Sequence, residues 1–183
     1  MNQARTNRVR YLAVAGLIAG LYTALTVALA PLSFGLVQCR VSEMLTILAA
    51  YSPAAVTGLT VGCALSNLIG LSMGANIAGA LDILFGTLAT GLAAWLSYRL
   101  RGVRWGGMPV LSTLPPVILN ALIIGAELTL VSPVPTWGMF FTEMALVGLG
   151  QLVACVGGGL ILSKTVEKTG FHRYLMTNHY TDR

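Results

Sequence analysis

Between Glu43 and Asp82 lie 38 consecutive residues without one charged side chain, interrupted by Pro53 and by a softer stretch around Gly70 to Gly79. That is about twice the ~20 apolar residues that cross a bilayer. The rest of the chain agrees: of 183 residues 56% are apolar and 9% charged, with a mean hydropathy of +0.79, whereas about a quarter of a soluble domain is charged. With the tails set aside there is room for about six or seven spans and none for a sizeable water-soluble domain.

A net charge of +5 and a pI near 9.5 would suit a nucleic-acid partner if the basic residues shared an exposed face. Their order points elsewhere. Ten of the eleven fall into three clusters: Arg5, Arg8 and Arg10; Arg99, Arg101 and Arg104; Lys164, Lys168, Arg173 and Arg183. Each cluster abuts an apolar stretch, which is the positive-inside pattern of cytoplasmic span ends. Cys39, Cys63 and Cys155 are scattered, so neither a disulfide framework nor a zinc site is indicated, and they read as small apolar fillers.

The first apolar run, Tyr11 to Ala30, ends at Pro31 and reads as a span. A cleavable leader is the competing reading, because basic residues precede the run and Ala28-Leu29-Ala30 resembles a cleavage site; the length of the run and the membrane-like sequence after it argue against cleavage. Parity divides the long uncharged stretch. One crossing there would put the Arg99 cluster opposite the N-terminal cluster, and two restore both to one side. The division is therefore a short helix over 41–51, a break at Ser52-Pro53 and a second helix over 54–69. Further helices are expected over 79–98, 112–131 and 138–163. The expected fold is one all-α integral membrane domain over 1–183, with six transmembrane helices, both termini cytoplasmic and a cytoplasmic tail over 164–183. Trp105 and Trp137 fall at expected interfaces. His172 and His179, in the tail, read as solvated rather than as metal ligands.

This topology gathers the remaining polar groups. Arg40 and Glu43 open the second helix, Asp82 lies early in the fourth, Glu127 late in the fifth and Glu143 early in the sixth, so all are expected in the outer half. Asn67 and Gln38 join the layer, and Asn120 and Gln151 lie deeper. Ionisable groups in lipid cost kilocalories unless paired or facing a wet cavity, which makes each a functional candidate. Structural readings stand beside the functional one: an Arg40–Glu43 pair, Asp82 at a helix N-terminus, and Asn67, Asn120 and Gln151 as interhelical hydrogen-bond glue. An acid-rich pocket favours a cationic or donor-rich ligand. A carboxylate accepts two parallel N–H bonds from a guanine-like edge, while Asn, Gln or Arg donates to the ring carbonyl. Phe34, Trp137, Phe140 and Phe141 are candidates for a stacking face.

No phosphate-binding loop, metalloprotease motif or nucleophile elbow is present, so neither an enzyme nor a cofactor is expected. If ATP drives uptake, another subunit must hydrolyse it. Ala15 and Ala19, with Gly16 and Gly20 alongside, form small-residue ridges on the first helix where a partner helix could approach.

The run Ala30 to Thr46, APLSFGLVQCRVSEMLT, resembles the QueT family, and so do Gly62 to Leu68, Asp82 to Thr90, Leu114 to Leu128 and Val147 to Gln151. Gln151, where relatives commonly carry Glu, and Leu71 to Ala78 depart from the family pattern. The resemblance implies a six-helix substrate-binding S component of an energy-coupling factor (ECF) transporter, partnered by a transmembrane coupling protein and two ATPase subunits. It implies 7-deazaguanine ligands, chiefly preQ0 and preQ1 and also queuine. On that reading Glu127 or Glu143 takes the donor edge, Asn120 and Asn67 orient the ring, Glu43 or Asp82 neutralises an aminomethyl cation, and Arg40 organises Glu43. The Ala15/Ala19 ridge then resembles the motif that docks on the coupling protein. The main alternative is an autonomous oligomeric ion-coupled transporter or channel for a small cationic solute, with the carboxylates as proton sites. Another keeps the class and changes the ligand to a different vitamin-like amine.

Overall fold

The computed structural model describes residues 3–35 and 38–175. All regular structure among them is helical; Trp105 and Met108 form an isolated bridge, and there is no strand. Helix α1 (Gln3–Ala28) begins before the expected Tyr11, its basic first turns included, and stops short of Ala30. Pro31, which cannot donate to the preceding turn, starts the separate short helix α2 (Ala30–Ser33).

The second segment departs most from expectation. Val41–Ala50 is a 3₁₀ helix rather than an α-helix, with Arg40 extended at its start (φ −79°, ψ 96°). At about 2.0 Å per residue, ten residues reach ~20 Å, against ~15 Å as an α-helix. The strain of so long a 3₁₀ run is borne by tertiary packing, since most of its residues are buried among α1 and the helical stretches Pro53–Ser72, Leu81–Arg99 and Leu152–Lys168.

Ser52 caps α3 (Pro53–Ser72), its Oγ accepting from Ala54 N–H at 3.3 Å with Pro53 at the first position. Helix α4 is Leu81–Arg99; a 3₁₀ turn, Val110–Thr113, leads into α5 (Leu114–Val131), which holds Pro115 and Pro116 in its first turn. Thr136 caps α6 (Trp137–Gln151), which passes through a π-helical stretch, Leu152–Gly158, into α7 (Gly159–Lys168). The segment expected to be tail from Lys164 onward is thus helical to Lys168, and after a turn α8 (His172–Leu175) folds back, burying Leu175 with Val166, Ile18 and Leu48. Arg183 and His179 lie outside the described residues.

Close helix contacts fix the directions. A Cβ on Gly58 would lie 2.6 Å from Ala15 O, and one on Gly62 would lie 2.9 Å from Ala19 O, so α1 and α3 run parallel. Gly125 meets Met144 and Gly148 meets Ala121, so α5 and α6 are antiparallel. Gly91 against Thr60 and Gly86 against Asn67 make α3 and α4 antiparallel. The 3₁₀ helix runs parallel to the continuous α6–α7 stretch, with Gln38 at Gly150, Met44 at Gly158 and Tyr51 hydrogen-bonded to Ser163. Among the described residues five helical stretches are long and apolar enough to cross a membrane, and Val41–Ala50 is a shorter apolar helix. One end of the bundle collects Arg10, hydrogen-bonded to the carbonyls of Arg173 and Tyr174, and Arg104, paired with Glu167.

Candidate functional site: a buried polar layer

Arg40 is the hub of the first network. Its guanidinium is buried, paired with Asp82 at the start of α4, and Nε donates to Ser33 O at 3.3 Å. Phe34, also buried, lies with its ring centroid 5.5 Å from the guanidinium carbon. Asp82 is held from other directions too. Asn76 Nδ2 donates to its Oδ2 at 2.8 Å, and Asn67 Nδ2 donates to its backbone oxygen at 2.6 Å. Gly86, one turn along α4, leaves room for this crossing: a Cβ there would lie 2.6 Å from Asn67 Nδ2 and 3.2 Å from Arg40 Nη1.

Glu43 is held directly by hydroxyls and by no cation, and Cys63 joins its network to the first: its Sγ lies 3.4 Å from Thr90 Oγ1 and accepts from Arg40 Nη1 at 3.7 Å. Tyr22 and Thr90 hydroxyls donate to Oε1 at 2.6 Å each, and Thr46 donates to Oε2 at 3.0 Å. The sequence-based Arg40–Glu43 association does not form, because Arg40 is extended ahead of the 3₁₀ helix and its side chain departs toward α4. Glu43 lies near the middle of the bundle's length. Thr90 is near the middle of Leu81–Arg99, and Cys39, just before Arg40, packs with Val117, Ala154 and Cys155. The segment ahead of the 3₁₀ helix thus dips into the bundle, and the helix that follows needs only part of the bundle's length.

The remaining candidates share a different property. Among the described residues nine buried side-chain nitrogen or oxygen atoms have no hydrogen-bond partner. Seven belong to candidates: Gln38 Nε2, Asn67 Oδ1, Asp82 Oδ1, Asn120 Nδ2, both oxygens of Glu127 and Glu143 Oε2. The others are Ser33 Oγ and Thr87 Oγ1. Buried polar groups are nearly always paired, since each unpaired one costs about 1–3 kcal/mol. These atoms are therefore the buried polar groups whose hydrogen-bonding capacity the protein itself leaves unused. The α5–α6 register sets Glu127 and Glu143 at one height, beside the Gly125–Met144 crossing. By the same register Asn120 and Gln151 lie lower, level with Gly150, against which the Gln38 backbone is pressed. Gln151 Oε1 accepts from Cys155 Sγ at 3.2 Å.

Two other sets of residues stand differently from expectation. Trp137 and Phe141 are 79% and 57% exposed, so of the four aromatic candidates Phe34 is the fully buried one beside the charged layer. Ala15 and Ala19 do not form a free docking ridge: both are buried against Gly58 and Gly62 of α3, because those glycines admit the α1 backbone. Gly16 and Gly20 face outward, with nothing within 4 Å of a Cβ placed there. Sequence reasoning missed Asn76, Tyr22, Thr90 and Cys63. An amide in the soft stretch before Asp82 was the available signal for Asn76; lone hydroxyls in apolar runs carry little. No cluster of residues able to hold a metal occurs among the described residues.

The sequence model of the QueT transporter family matches residues 12–168, spanning α1 to the end of α7. The chain belongs to the QueT transporter family. It is also 26% identical over 181 residues to the queuosine precursor transporter QueT of Lactococcus lactis subsp. cremoris (strain MG1363), covering 94% of this chain and 100% of the relative. No solved structure matches the chain. QueT membership makes this a transporter and not an enzyme.

Proposed function

We propose that this chain is the substrate-binding S component of an ECF-type importer for a queuosine precursor, a 7-deazaguanine such as preQ1 or preQ0, with queuine a further candidate. It crosses the cell membrane six times with both termini cytoplasmic, and a coupling membrane protein and two ATPase subunits supply the ATP hydrolysis. The relative's name supports the solute class. The observation that carries the reading is the set of buried unpartnered atoms, in which amide donors from Gln38 and Asn120 stand with carboxylate acceptors from Glu127 and Glu143.

A 7-deazaguanine presents a complementary set: adjacent N–H donors on one edge and a carbonyl oxygen beside them. One of Glu127 and Glu143 accepts the donor edge as a pair of parallel bonds. Asn120 and Gln38 donate to the carbonyl, and Asn67 Oδ1 takes a remaining ring donor. The second carboxylate neutralises the ammonium of preQ1. Glu43 and Asp82, engaged by hydroxyls and by Arg40 respectively, act mainly as the frame, although Asp82 Oδ1 remains open to the ligand. The face of α1 open to the coupling protein is the one bearing Gly16 and Gly20.

The test is binding of labelled preQ1, preQ0, queuine and guanine to the detergent-purified chain, followed by uptake into vesicles holding the chain alone. Saturable binding of a 7-deazaguanine without uptake is the expected pair of results. Gradient- or proton-driven uptake by the chain alone would defeat the S-component assignment and favour an autonomous carrier.

A further inference from the structure

At the end of the bundle that carries Arg10 and Arg104, the chain reverses at Gly170, whose φ of +72° is the left-handed conformation that favours glycine. The return brings Arg173 beside α1. Arg10 Nη2 donates to the carbonyl oxygens of Arg173 at 3.3 Å and of Tyr174 at 2.7 Å, across more than 160 positions of sequence. These two acceptors use only part of the five N–H donors of a guanidinium. Arg10, Thr169, Gly170, Arg173 and Tyr174 line a cleft of about 560 Å³. Glu167, the acid of this segment, is turned away: it accepts from Arg104 at 2.9 Å and from Tyr51 at 2.8 Å. Two arginines, Arg10 and Arg173, therefore line one cleft whose neighbouring carboxylate is already occupied.

The surroundings distinguish between sources of anion. Val9 and Leu12, flanking Arg10 in α1, are exposed, as are Phe171 and Tyr174, whose ring centroids lie 6.3 Å apart. The cleft thus sits where an apolar outer surface meets a basic end, the position of a bilayer headgroup region and its aromatic belt. A free anion would use the charge and leave the apolar flanks idle. We infer that this cleft binds the phosphodiester of an anionic phospholipid, Arg10 and Arg173 donating to the phosphate oxygens while the acyl chains lie along the exposed flank of α1. Guanidinium forks match phosphate oxygens in geometry as well as charge, and basic residues at a membrane surface select anionic lipid. The site is separate from the buried layer and does not depend on which solute that layer takes.

The test is calorimetric titration of the full, delipidated chain with dihexanoyl phosphatidylglycerol, dihexanoyl phosphatidylcholine and inorganic phosphate. Saturable phosphatidylglycerol binding is expected, weakened about fivefold or more in Arg10→Gln and Arg173→Gln and unchanged in Lys164→Gln. Arg173→Gln leaves the Arg10 bonds to the backbone carbonyls in place, so it reads the charge separately from folding of the return; its unchanged melting temperature checks this. Equal phosphatidylglycerol binding in wild type and both arginine variants would overturn the inference. So would phosphatidylcholine binding as tightly, or inorganic phosphate displacing the lipid at equal concentration, which would assign the cleft to a free anion.

Discussion

Arg40 pairs with Asp82, 42 positions away, and leaves Glu43, three positions along the chain, to the hydroxyls of Tyr22, Thr46 and Thr90. Charge is thereby balanced between the segment before the 3₁₀ helix and α4, and the two carboxylates on α5 and α6 have no cation committed to them.

Removing one partner of a buried ion pair strands the other charge, at about 3–5 kcal/mol. Asp82→Ala should therefore destabilise the folded chain by that order. Glu43→Gln, which alters bonds to neutral hydroxyls, should cost about 1–3 kcal/mol. Denaturant unfolding in detergent checks the order; Glu43→Gln as damaging as Asp82→Ala would contradict the assigned pairing.

Glu127 and Glu143 behave differently if they await a ligand. Neutralising an unpartnered buried carboxylate removes a desolvation cost, so Glu127→Gln and Glu143→Gln should melt at or above the wild-type temperature without solute. Each should also weaken preQ1 binding at least ~10-fold, ~1.4 kcal/mol. Unchanged binding in both variants would take these residues out of the site.

Gly86 and Gly16 should respond to alanine with opposite signs. A Cβ at Gly86 would press on Asn67 and Arg40, while at Gly16 it meets nothing within 4 Å. Gly86→Ala should cost about 1–3 kcal/mol by overpacking, and Gly16→Ala should be neutral or gain up to about 1 kcal/mol from helix propensity. Melting of both variants side by side is the measurement.

Topology is open to cysteine labelling. In a cysteine-free background, Thr6→Cys and Gly102→Cys should react with an impermeant maleimide only after cells are permeabilised, and Val134→Cys should react in intact cells. Labelling of Thr6→Cys and Gly102→Cys from opposite sides would refute an even number of crossings between them.

On α1 the two small-residue ridges should separate by phenotype. Ala19→Leu, against Gly62, should impair folding. Gly20→Leu, on the open face, should preserve solute binding and reduce uptake in cells holding the full transporter. Normal uptake by Gly20→Leu would remove that face from partner contact.

Apolar runs punctuated by proline announced the helices on their own, because a bilayer demands length and internally satisfied backbone of any segment that enters it. Pro53 behind Ser52, and Pro115-Pro116 in a first turn, mark helix starts that local chemistry alone dictates. Family motifs and the concentration of Asp, Glu, Asn and Gln among so few polar residues were legible in the same way. The 3₁₀ winding of Val41–Ala50 was not, because ten apolar residues read alike in either helix and the tighter winding is held by burial against helices distant in the chain. Nor was the choice of Asp82 over Glu43 as partner of Arg40, the recruitment of Asn76, or the burial of Ala15 and Ala19 rather than Gly16 and Gly20. Composition and periodicity decide which segments leave water. Which polar atoms then meet is a matter of helix rotation and register, and these are set by close contacts such as Gly58 on Ala15 and Gly125 on Met144, between residues far apart in the chain.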